Sequence, residues 1–155
     1  MWVLAFLVYI VLGILSLRGI RRAYVAFVVL GLFYFPAKVG LRLDPHPCEL
    51  TFGFSLAVYS LTNYAHILLF TLFFVMTSVQ FRIFNWPAFA WAAVATIVMG
   101  MLVEIAEGLT GKGHCRLRDL IPDAVGILAG PIIVLLLNRI GWSPRPSWSL
   151  AWWRG

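Results

Sequence analysis

The chain has 155 residues, enough for one domain, and 62% of them are hydrophobic against 12% charged, with a mean hydropathy of +0.93. That balance excludes an ordinary soluble globular protein and fits an integral membrane protein. The net charge of +6 does not indicate nucleic acid, because the lysines and arginines are scattered between apolar runs; the phosphates they suit are those of membrane lipids.

Residues 1–17 form an uncharged run that begins a first span and lacks the basic segment of a signal peptide. Arg18, Arg21 and Arg22 follow, and because basic residues are retained in the cytoplasm they favour an N-terminus outside and a C-terminus in the cytoplasm. Span two covers residues 23–41, with Lys38 and Arg42 able to snorkel at its far end and Pro36 as a kink point. The LDPHPCE sequence at 43–49 is an outer loop carrying Asp44, His46 and Cys48.

No charge interrupts residues 50–81, a stretch too long for one crossing of a core about 30 Å thick. Residues 51–60 are therefore expected to be interfacial or re-entrant and 61–81 to form span three, with Asn63 and His66 in its first two turns. Asn85 caps span four, residues 87–107, behind Pro87 at a position where its missing N–H does no harm. A glycine-rich and basic outer loop follows at 108–118, and Asp119 caps span five, which holds Pro122 in its first turn and runs to Asn138. Residues 139–155, with Trp142, Trp148, Trp152, Trp153, Arg145 and Arg154, suit the inner membrane surface. The expected fold is all-α: a polytopic membrane helix bundle of about five transmembrane helices over 1–138, with an interfacial tail at 139–155.

Four of the six acidic residues, Glu104, Glu107, Asp119 and Asp123, lie at the inner edges of two apolar runs. An ionised side chain in a span costs a few kcal/mol and usually faces a bundle interior or a water-filled pocket. Gly100, Glu104 and Glu107 share one helical stripe, as do Asp119, Asp123, Gly126 and Gly130. The small-xxx-small spacing of Gly126 and Gly130 favours close helix packing, which directs the carboxylates into a helix contact. His66, Glu104, Glu107, Asp119 and Asp123 can converge on one shallow pocket, with Asn63 beside it and His114, Cys115, Arg116 and Arg118 above.

These residues resemble the VanZ-like family of small bacterial membrane proteins. In that family one helix begins Asp-Lys-x-x-His, the next carries Glu-x-x-Gln, and an Arg-containing loop leads to Asp-x-x-x-Asn-x-x-Gly-x-x-x-Gly. His66 matches the histidine and Phe70 a usual aromatic, Glu104 matches the glutamate, and Asp119, Gly126 and Gly130 match the last motif; Arg116 or Arg118 supplies the loop arginine. The chain departs from the pattern at Thr62 and Asn63, which stand for Asp and Lys, at Glu107 for Gln and at Asp123 for Asn. The likeness covers roughly residues 61–130. It implies a multi-pass protein of the bacterial cytoplasmic membrane, of the kind named for teicoplanin resistance, and supplies no mechanism.

Several chemistries remain open. His66 with Glu104 can form an ionic or hydrogen-bonded pair that relays a proton, or a helix–helix hydrogen bond that only fixes packing. Arg116 and Arg118 can recognise a phosphate or pyrophosphate, or join an internal salt-bridge network holding loop to helices. His46, His66, His114, Cys48 and Cys115 contain no HExxH or closely spaced set, so no metal or other cofactor is expected. Cys48 and Cys115 lie in the two outer loops, where an oxidising compartment allows a disulfide, with two unpaired thiols as the default. Three functions follow. The first is binding of a lipid-linked or other envelope ligand with a bearing on glycopeptide resistance, the second a membrane-embedded acid/base or lipid-phosphate-handling enzyme, and the third an accessory subunit with membrane-protein partners.

Overall fold

The computed structural model describes the backbone of residues 2–38, 43–51, 53–81, 84–110 and 115–142, and their side chains except those of residues 2 and 33–38. The protein is mostly helical, and no strand occurs among the described residues. The helices are α1 (Trp2–Leu17), α2 (Arg21–Lys38), α3 (Phe54–Ser60), α4 (Tyr64–Val79), α5 (Trp86–Thr110) and α6 (Leu120–Arg139), the last preceded by a 3-10 turn at Leu117–Asp119.

Two of these are long and apolar enough to cross a membrane, α5 and the 23 residues Leu117–Arg139; a third span results if α3 and α4, bent by 68°, are taken together. That is fewer than the expected five. At 16 residues α1 rises only about 24 Å, and α2 includes Arg21, Arg22 and Lys38. The uncharged stretch at 50–81 breaks where expected: α3 occupies residues 54–60 and α4 starts at Tyr64, after a turn at Leu61 and Thr62.

The helices alternate in direction, so the bundle has two ends. At one, here the arginine end, the side-chain amide of Gln80, just past α4, donates to the Ser16 carbonyl near the end of α1 at 2.9 Å. Asn85 accepts from the Ala88 N–H at 3.0 Å and so caps α5. Both α1 and α6 finish here on a left-handed glycine, Gly19 (φ 80°) and Gly141 (φ 77°), followed by bonds from Ile20 N to Leu15 O and from Trp142 N to Leu137 O. This Schellman closure is open to glycine because no Cβ opposes it. It also folds Trp142 back onto the core formed by Phe74, Val75, Val79, Phe89, Ala92 and Val134.

At the opposite, disulfide end, residues 43–51 lie across the last turn of α5. Asp44 N and His46 N donate to the carbonyls of Leu109 and Gly108 at 3.1 and 2.9 Å. Asp119 occupies the N-cap position of α6 but makes no side-chain cap bond. Its backbone is already right-handed helical, continuing the 3-10 turn, whereas a capping residue is normally extended.

The central helix is α4, buried from Phe73 to Val79 and packed against α6, α5 and α1. Its closest neighbour is α6, and glycine is the reason. A Cβ at Gly126 would lie 2.7 Å from the Ile67 carbonyl and 2.9 Å from the Thr71 nitrogen, and one at Gly130 would overlap Phe74. In the space so gained Thr71 Oγ1 donates to Ile67 O at 2.7 Å and reaches Gly126 O at 3.1 Å. Around this centre large aliphatic side chains face outward, including Leu68, Leu69, Leu128 and Ile132, an exposure that suits a hydrocarbon solvent. Residues 143–155 of the expected tail lie outside the described residues.

Candidate functional site

The polar groups gather at the disulfide end between the first turns of α4 and α6 and the last turns of α5. His66 and Asp123 each lie in a first turn, and the close glycine contact sets the two helices near enough for a direct bond: His66 Nδ1 donates to Asp123 Oδ1 at 2.9 Å. Asp123 is 3% exposed, and its second oxygen, Oδ2, has no hydrogen-bond partner among the described residues. Gly100 of α5 faces that oxygen, with a Cβ there falling 2.9 Å from it. The imidazole lies 5.9 Å, centre to centre, from the Phe70 ring. Its side chain is 23% exposed, and its second ring nitrogen is hydrogen-bonded to none of the described residues.

Glu104 is the other buried acid of the group. Its Oε2 accepts the Arg116 backbone N–H at 2.9 Å, which ties α5 to the segment leading into α6. Asp119 and Glu104 lie within electrostatic reach of His66, and Glu107, Asp119 and Asp123 within reach of Glu104. The five residues expected to converge are thus at one end of the bundle, but the histidine's partner is Asp123 and not Glu104. Pairing follows helix contact: α4 lies against α6 along its length, while Glu104 is nearer the segment at 115–119.

Above the acids sits a clasp of two short segments. Cys48 and Cys115 form a disulfide, replacing the two unpaired thiols taken as the default. The next residues in each segment pair as an isolated parallel bridge, Glu49 with Arg116, with Glu49 N donating to Cys115 O at 2.9 Å and Leu117 N to Glu49 O at 3.1 Å. The Glu49 carboxylate meets Arg116 Nε at 3.3 Å and Arg118 Nη1 at 3.5 Å, and also accepts the Thr51 hydroxyl at 2.6 Å. Gly108 leaves room for the disulfide, since a Cβ there would lie 3.1 Å from the Cys48 sulfur.

Of the two readings open for Arg116 and Arg118, phosphate recognition or an internal salt-bridge network, the structure shows the salt bridges, and their partner is Glu49, which was not among the expected site residues. A signal for it was present: once Cys48 and Cys115 are joined, the residues after them, Glu49 and Arg116, fall side by side. Asn63 stands at the N-cap position of α4 without a side-chain cap bond; its backbone N–H donates to Ser60 O at 3.0 Å and its carbonyl accepts His66 N at 3.1 Å and Ile67 N at 3.4 Å. His114 lies outside the described residues. Among the described residues no three of His, Cys, Asp and Glu are grouped as metal ligands.

No protein-family model matches the chain, nor does any curated protein or solved structure. What the arrangement can do follows from its own chemistry. A buried carboxylate holds one ring nitrogen of a half-buried imidazole, fixing its tautomer and leaving the other nitrogen for a hydrogen bond or a proton. The surrounding groups are acids, and the nearest guanidinium groups, those of Arg116 and Arg118, share the single carboxylate of Glu49.

Proposed function

We propose that the protein is a VanZ-like, five-span protein of the bacterial cytoplasmic membrane whose polar site at the disulfide end, facing outward, binds a lipid-linked or other envelope ligand and so alters the response to glycopeptide antibiotics of the teicoplanin type. The His66–Asp123 bond at 2.9 Å carries the reading: an ion-pair-capable dyad lodged in a span is retained at a cost and marks a functional position. The resemblance of residues 61–130 supports the family and the envelope role. The disulfide supports placing its end in an oxidising compartment, and Arg18, Arg21 and Arg22 support a cytoplasmic location for the other. With α1 and α2 counted as short or partly charged spans, the bundle has five.

The acidic surroundings favour a ligand that presents hydroxyl or amine hydrogen-bond donors. They oppose phosphate recognition by Arg116 and Arg118, both of which are already engaged by the Glu49 carboxylate. The test is antibiotic susceptibility of a host expressing the wild type, Asp123→Asn or His66→Gln, with membrane levels measured in parallel. Both variants are expected to lose the resistance phenotype at unchanged abundance. Full resistance in both sinks the site, and loss of the protein itself assigns the pair to packing alone.

A second reading draws on the same bond. A carboxylate-oriented imidazole is also a general base, so turnover of a lipid substrate by the wild type, lost in His66→Gln, would make the protein an acid/base enzyme. The accessory-subunit alternative has no observation that favours it.

A further inference from the structure

The six acidic residues of the chain all lie at the disulfide end: Asp44 and Glu49 in the clasp, Glu104 and Glu107 late in α5, Asp119 and Asp123 at the start of α6. The arginine end has no acid at all, and Arg18, Arg22 and Arg139 are exposed there. Into this end opens an apolar groove of about 430 Å³. One wall is the stripe Leu68, Thr71, Leu72 and Val75 of α4 and the other is Ile133 and Leu137 of α6. The α4 stripe is roughly 10 Å long at 1.5 Å per residue. Thr71 adds no free polarity, since its hydroxyl is engaged with Ile67 and Gly126. The mouth is formed by Leu17 and Trp142. Arg18 follows the first directly and Arg139 precedes the second by one turn.

We infer that this groove holds one acyl chain of an anionic phospholipid, whose phosphate is met by Arg18 and Arg139. The walls are aliphatic, as an acyl chain requires, and run along the bundle axis. A tryptophan in the lining, with two exposed arginines near the lining residues in the chain, matches the depth at which a glycerol and a phosphate would lie. Nothing acidic opposes the headgroup, so charge complementarity selects anionic over zwitterionic lipid. This site is separate from the His66–Asp123 site at the other end of the bundle and stands or falls independently of it.

The decisive experiment takes the full-length protein from nanodiscs of equal parts phosphatidylglycerol and phosphatidylcholine and measures the lipids it retains by native mass spectrometry. Wild type is expected to retain phosphatidylglycerol in about 25-fold excess, about fivefold for each of the two arginines, with the excess falling as salt is raised. Arg18→Gln and Arg139→Gln are each expected to lower it about fivefold, the equivalent of about 1 kcal/mol per juxtamembrane cation. Leu72→Trp and Ile133→Trp, both at partly exposed groove positions, are expected to lower retention of both lipids while helicity is unchanged. Equal retention of the two lipids by wild type overturns the proposal. So does an excess unchanged by both arginine substitutions, which remain decisive even where a tryptophan variant does not fold.

Discussion

At the scale of single residues, the close approach of α4 and α6 depends on atoms that are missing. The Cβ of alanine at position 126 would press on the backbone of Ile67 and Thr71, which cannot rotate away as a side chain can. Gly126→Ala is therefore expected to destabilise the protein by about 1–3 kcal/mol through overpacking. Gly53→Ala, where nothing lies within 4 Å, should leave it unchanged. Thermal unfolding in detergent distinguishes the two, and equal melting temperatures would show that the helix contact is looser than described.

The same contact sets the His66–Asp123 bond, and its strength is accessible by a double-mutant cycle. His66→Ala strands a buried carboxylate, so the single variants are expected to cost more together than the pair. A coupling of about 1.5–3 kcal/mol is expected for a hydrogen bond to a charged group. A coupling near zero would mean that the bond contributes nothing to holding the fold. The sequence places both residues in the site but offers Glu104, not Asp123, as the histidine's partner. Helical period orders residues around one axis only, and which neighbouring axis lies closest is decided by packing elsewhere along the helices.

At the scale of elements, the clasp joins a loop at 43–51 to a segment at 115–119 across a sequence separation of 67. Closing so long a loop in the unfolded chain corresponds to about 4 kcal/mol in the loop-entropy model, and Cys48→Ser is expected to lower stability on that order. A shift on a non-reducing gel that disappears in Cys48→Ser and in Cys115→Ser checks the bond itself. Glu49→Gln acts at a half-exposed pair of bridges and is expected to cost under about 1 kcal/mol. A loss as large as that of the cysteine variant would mean that the carboxylate and not the disulfide holds the clasp. The two cysteines were legible as an allowed pair. The alternation of spans put their loops on one side, but proximity within a side is a tertiary fact.

For the whole molecule, charge is segregated along the bundle axis, with every acid at one end and an exposed, purely basic surface at the other. Together with the disulfide this is the basis of the proposed orientation. Single cysteines introduced at Phe54 and at Trp86, both exposed, in a Cys48→Ser/Cys115→Ser background, report the two ends. An impermeant thiol reagent added to intact cells is expected to label position 54, and position 86 only after permeabilisation. The reverse pattern would invert the orientation and place the polar site in the cytoplasm.

From the sequence by itself came the helical class, the presence of helices apolar and long enough to cross a membrane, the break between residues 60 and 64, the Asn85 cap and the gathering of acids at the margins of apolar runs. Each of these rests on local properties: hydropathy over a window, helical period, and the backbone preferences of proline, glycine and asparagine. Only the tertiary structure decided that Asp123 holds His66, that Glu49 takes both arginines, and that α4 and α6 leave a groove at the arginine end. Those outcomes depend on which helix surfaces meet and at what rotation, a balance of packing over the whole bundle that no single window of residues contains.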